Sequence, residues 1–65
     1  MRVDRVKLIA EMARQEIKVK ELVEKAGVSR STVTAMRTGK SCNANSIAHV
    51  ARALGVDVSE IIEQK

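Results

Sequence analysis

Apolar residues recur at helical spacing along nearly all of this 65-residue chain. Near the start, Val6, Ile9, Ala10 and Ala13 form one stripe, widened by Leu8 and Met12. They predict a helix from Asp4 or Arg5 to about Gln15. Asp4 suits its N-cap, and Val3 and Leu8 stand at the spacing of a hydrophobic staple. Ile17 follows in the link as a core anchor. Leu22, Val23 and Ala26 mark a second helix, which begins near Lys18 or Val19 without a good capping side chain. Gly27 suits its stop, because glycine takes a left-handed backbone without a Cβ clash. Val28 is apolar inside a turn, which implies burial between two helices. Ser29 suits the N-cap of a third helix, whose large apolar residues are Val33 and Met36, three apart. Gly39 reads as the next stop, and Cys42-Asn43-Ala44-Asn45 as a polar loop. Ile47, Val50, Ala51 and Leu54 then follow the i, i+3, i+4, i+7 pattern of a fourth helix starting near Asn45 and closed by Gly55. Val56 reads as an inward plug. Asp57-Val58-Ser59-Glu60 fits a capping box and predicts a fifth helix carrying Val58, Ile61 and Ile62. No heptad repeat is sustained, so the expectation is one all-α domain over residues 1–65, an orthogonal five-helix bundle rather than a coiled coil.

The stretch Lys20 to Lys40 organises the rest. A helix, a tight turn at Ala26-Gly27-Val28 and a capped second helix make the pattern of a helix-turn-helix, a device that reads DNA. The outward positions of the second helix are small or basic: Arg30, Ser31, Thr32, Thr34, Ala35, Arg37 and Thr38. None is a carboxylate, so this face can lie against base edges and phosphates. Charge supports the same picture. The formal net charge is +4, and no acidic residue occurs between Glu24 and Asp57, where Lys25, Arg30, Arg37, Lys40 and Arg52 all fall. Such a block suits a polyanion. A chain this short buries only about 60% of its unfolded surface and needs efficient packing. The single cysteine, Cys42, excludes an internal disulfide, and no spacing fits a structural zinc site. The sequence shows no membrane span or export signal, so a cytoplasmic location is expected.

With ELVEKAGVSRSTVTAMRTGKS followed by IAHVARALGVDVSEII, the chain resembles the Cro and phage-repressor (Xre-type) helix-turn-helix family. The resemblance implies a compact, five-helix lambda-repressor-like domain that binds double-stranded operator DNA, often as a homodimer on a two-fold symmetric site. It makes the third helix the recognition helix. Ser29, Arg30, Ser31 and Ala35 then take base-facing or near-base positions, with Thr34 beside them. Lys40, Ser41, Asn43 and Asn45 take the loop that approaches the DNA backbone. Two positions depart from the family. Val19 stands where a glutamine usually fixes a phosphate, after Lys18 in place of the usual Thr or Ser cap. Lys18 can supply a phosphate contact instead. Arg37 stands where a glutamate is common, and pairs with Glu11 or reaches phosphate.

Arg30 is the strongest candidate for direct readout, since a guanidinium can bond O6 and N7 of one guanine. A phosphate contact or a solvated charge is its alternative. Arg2, Arg5 and Lys7, near the first helix's start, could touch phosphate or remain solvated. His49 fits a half-buried or surface residue better than a ligand. Cys42 fits an incidental surface thiol better than a redox handle. No nucleophile with a paired base and no phosphate-cradling loop is present, so neither an enzyme nor a cofactor is expected. The expected function is a sequence-specific transcription regulator, a repressor, that dimerises at least on DNA through an exposed apolar end of the fifth helix at Ile61 or Ile62. The alternatives are an antitoxin or other partner-binding module, and a scaffold that keeps the fold without binding DNA.

Overall fold

The computed structural model describes residues 2–63. They form α1 (Arg5–Arg14), α2 (Val19–Ala26), α3 (Arg30–Arg37), α4 (Ala44–Leu54) and a 3-10 turn over Val58–Glu60. The architecture is all-α, with the helix-turn-helix α2–α3 at its centre. α2 packs on α4 and α3, α3 also meets α1, and the 3-10 turn rests on α4. Val3, Leu8, Leu22, Val33, Met36, Ile47, Val50 and Ile61 are fully buried between them. Each contributes about 1.5–3 kcal/mol of burial.

The helix ends follow their local chemistry. The Asp4 carboxylate accepts from the Val6 and Lys7 N–H groups at 3.0 and 3.2 Å, capping α1. Asn43 Oδ1 accepts from Asn45 N–H at 2.7 Å and Ser46 N–H at 3.3 Å, capping α4. Ala44, expected in the loop, therefore belongs to α4's first turn together with Asn45, near which the helix was expected to start. Lys18 precedes α2 with a side chain that has no acceptor. Glu21 compensates in part, accepting from Lys18 N–H at 3.3 Å. At the other ends, α1, α3 and α4 close in the same way. In each, one residue beyond the helix donates back five positions over the last turn: Ile17 to Met12 O, Lys40 to Ala35 O and Val56 to Ala51 O, at 2.9, 3.0 and 3.0 Å. That closure needs one left-handed residue. Gly39 and Gly55 supply it at two ends, and Glu16, with φ 54°, at the third.

Two sequence expectations need correction. The inward face of α1 is Leu8 and Met12, not the stripe Val6, Ile9, Ala10 and Ala13. Val6 is 69% exposed and Ile9 42%, and both alanines face outward. Apolar residues on adjacent faces left the rotation of α1 open in the sequence. Val3, buried immediately before the cap, sets it by favouring Leu8 one turn on. Two large side chains also bury more area than a stripe completed by alanines.

The expected fifth α-helix is instead the 3-10 turn. The Asp57 carboxylate accepts from Ser59 N–H at 3.0 Å and from the Ser59 hydroxyl, while Glu60 accepts from Asp57 N–H at 3.0 Å. These local bonds suit a short tight turn. The chain is then drawn straight into contact with its beginning. Asp4 N–H donates to Ile61 O at 2.8 Å and Glu63 N–H to Arg2 O at 3.0 Å. Val3 and Ile62 form an isolated antiparallel bridge, and Arg2 and Ser41 another. Ile61 is thus fully buried and Ile62 packs partly buried against the core, so among the described residues this end carries no exposed large apolar side chain for a dimer.

Candidate nucleic-acid interface

The turn between α2 and α3 is built by Gly27, Val28 and Ser29. Gly27 has φ 69° and its N–H donates to Val23 O at 3.0 Å. Val28 packs against the core, as its apolar character predicts. Ser29 Oγ accepts from Thr32 N–H at 3.2 Å and lies 2.8 Å from Thr32 Oγ1 and 3.1 Å from Ser31 Oγ. Three hydroxyls therefore stiffen the first turn of α3. Val33 and Met36 anchor the helix from below, so the opposite face is fixed in place and turned outward.

That face gathers six of the expected residues. Arg30, Ser31, Thr34, Ala35, Thr38 and Lys40 line one open depression of about 480 Å³. Ser31 and Ala35 also border a second one of about 280 Å³ shared with Ser41, Asn43, Thr32, Cys42 and Ser46. α3 and the α3–α4 loop thus form one continuous surface. Thr38 has a largely internal role: its hydroxyl donates to Thr34 O and Ala35 O at 3.1 and 3.0 Å, finishing α3. Asn45 stands exposed on the first turn of α4. Thr32 was expected on the outward face of α3 but given no contact of its own; Ser46 was not expected, and only the capping role of Asn43, by placing α4's first turn beside α3, could have signalled it.

Lys18, Val19 and Arg37 lie apart from this centre. They line a groove of about 570 Å³ whose other walls are Ile9, Met12, Ala13, Glu16 and Ile17. Arg37 does not pair with Glu11, as one sequence expectation had it. Glu11 is held by Arg14, with Nη2 to Oε2 at 2.6 Å, and by Gln15 at 3.0 Å. Those bonds, Arg14's first, lower the Glu11 pKa. The reason is proximity along α1, where residues three and four apart face each other. Arg37 is left exposed at the end of α3.

The charge is unevenly spread. The depression on α3 carries Arg30 and Lys40 and no carboxylate, whereas one beside α2 carries Glu21 and Glu24. Among the described residues, no acid lies within ion-pair distance of Arg30, Arg37 or Lys40.

A stiff, capped helix presents small and basic side chains from the second half of a helix-turn-helix. Residues 7–65 match the family model of the Cro/C1-type HTH DNA-binding domain. The chain belongs to this family. No curated protein matches the sequence. In helix-turn-helix domains the second helix of the motif enters the major groove, and the first crosses the backbone. The matched span contains all of α2, α3 and α4 and most of α1. No helix among the described residues is long and apolar enough to cross a membrane.

Proposed function

We propose that this Cro/C1-type domain is a sequence-specific transcription regulator that represses by occupying an operator. The observation that carries the reading is the outer face of α3, where exposed Arg30 shares a depression with Ser31, Thr34, Ala35 and Lys40 and no carboxylate lines it. In this reading Arg30 bonds O6 and N7 of a guanine, for about 1–3 kcal/mol of discrimination. Ala35 offers its methyl to thymine, and Ser31 and Thr34 meet bases or phosphates. Lys18, Lys40, Ser41 and the amides around Asn43 hold the DNA backbone and set the register. Val19, which packs against the core, has no polar atom for a phosphate, so this edge depends on Lys18 and Arg37. Catalysis and cofactors have no part in the mechanism.

Homodimeric binding belongs to the same proposal. The longest extent of the described protomer is 29 Å, while successive half-sites of a two-fold operator are centred about 34 Å apart. One protomer matches one half-site, and reading both takes two. The support is family habit and this dimension, since the end near Ile61 is covered.

The test is anisotropy of a labelled duplex from the gene's own upstream region, compared with a random duplex of equal length. We expect tighter binding to the first by about 10³-fold or more, with two protomers per symmetric site. Arg30→Ala should cost about 1–3 kcal/mol on that duplex only. Equal binding to both duplexes would contradict sequence-specific recognition of this operator.

A second reading is a module that binds a protein partner, as an antitoxin binds its toxin. The observation favouring it is the outward apolar face of α1 at Val6 and Ile9. Failure to bind either duplex at low salt, together with a partner retained through purification, would put it first.

A further inference from the structure

The beginning of the described chain does more than close the core. Arg2 forms an antiparallel bridge with Ser41, and facing residues of such a bridge project to the same side. Val3 is buried, so its neighbour Arg2 projects away from the core, where it is exposed. Arg5, in the first turn of α1, lays its stem over the next bend of the same loop. Its Cδ is 3.9 Å from where a Cβ on Gly39 would stand. Arg2 and Arg5 therefore flank the Gly39-Lys40-Ser41 loop, and Lys40 makes a third cation on this edge. The acids nearby leave them unpaired. Asp4 is occupied as the α1 cap. Glu63 meets Arg2 through its backbone N–H. Among the described residues, no acid lies within ion-pair distance of Arg2, Arg5 or Lys40. Both arginines precede the span that matches the family, which begins at residue 7.

We propose that Arg2 and Arg5 extend the DNA-binding surface beyond the α3–α4 loop and, with Lys40, grip phosphates next to those held by the loop. This rests on the DNA-binding reading above and names a further part of that interface. Arg2, bridged to Ser41 and tied to Glu63, also braces the loop.

Neutralising a phosphate contact removes about 0.9 from the slope of log K against log salt. The experiment is anisotropy on the operator and random duplexes over a salt series. The proteins are wild type, Arg2→Gln, Arg5→Gln, the double variant, Arg5→Lys and Lys7→Gln. Lys7 is the control, because two residues along a helix carry a side chain to nearly the opposite side from Arg5. The expected result is a double-variant slope shallower by about 2, with the same fractional loss of affinity on both duplexes. Arg5→Lys should restore the Arg5 share, and Lys7→Gln should match wild type. An unchanged slope in the double variant, with wild type still binding in a salt-dependent way, would overturn this proposal and leave the functional reading standing. A slope lost equally in Lys7→Gln would also overturn it, by showing diffuse charge instead of a defined edge. Wild type that binds neither duplex would remove both readings.

Discussion

Glu16 and Gly27 hold nearly the same left-handed backbone, with φ 54° and 69°, but only glycine suits it. For a residue with a Cβ that conformation costs about 1–2 kcal/mol. No heavy atom lies within 4 Å of a Cβ placed on Gly27, so Gly27→Ala meets the backbone cost and no clash. The stiffer unfolded chain offsets about 0.5–1 kcal/mol of that cost, so the unfolding free energy should fall by up to about 1.5 kcal/mol in a denaturant titration. Glu16→Gly relieves the opposite mismatch. Glycine's greater freedom when unfolded takes back about 0.5–1 kcal/mol, leaving a gain of up to about 1 kcal/mol. If Glu16→Gly destabilised the protein by as much as Gly27→Ala, the conformational account would be wrong. Glu16 also explains why the end of α1 was harder to see in the sequence than the other helix ends. Gly27, Gly39 and Gly55 announce their stops, and a glutamate in the same role does not.

At the scale of elements, α1 gives the clearest test of the corrected packing. Leu8→Ala should cost about 2–5 kcal/mol, as expected for a fully buried leucine. Val6→Lys, on the outward face, should stay within about 0.5 kcal/mol. The reverse order of midpoints in urea would restore the stripe suggested by periodicity. The other helices were legible because each carries one unambiguous stripe and either a recognisable cap or a glycine stop. Ser29 and Gly27 framed α3, and Ile47, Val50, Ala51 and Leu54 fixed α4. The 3-10 turn was not legible. Its Asp57 and Glu60 bonds form as the capping pattern predicts, but its length is set by a pairing with residues 2–4, which no local pattern records. The interface divided in the same way. Residues on α3 came together as their spacing implied. The closeness of Arg5 to Gly39 and of Arg2 to Ser41 depends on how α1 crosses the end of α3, and only the folded chain shows it.

For the whole molecule, polar links between distant elements are few, and one of them responds to acid. Gln15 donates to Glu11 Oε2 and, at 2.7 Å, to Leu54 O, tying the end of α1 to the end of α4. The Glu11 carboxyl is lowered by its bonds from Arg14 and then Gln15, and the Asp57 carboxyl by the Ser59 hydroxyl and then the Ser59 N–H. A carboxyl with a lower pKa folded than unfolded stabilises the fold above its unfolded value and loses that contribution as pH falls through the folded one. The melting temperature should therefore hold level at near-neutral pH and decline below about pH 4. In the Glu11→Gln, Asp57→Asn double variant the decline should be shallower. A wild-type curve that stays flat into strong acid would contradict the assignment. The clasp between residues 2–4 and 61–63 has a consequence for how the protein is made. α2 and α3 can pair as soon as they leave the ribosome, but Val3 waits for Ile61 and Ile62, and closing so long a loop must precede its reward. A nascent chain that has reached Gly55 holds every α-helix of the fold with Val3 still uncovered on that side. The edge formed by Arg2, Arg5 and the α3–α4 loop is then the last part of the surface to set, after residues 61–63 have emerged.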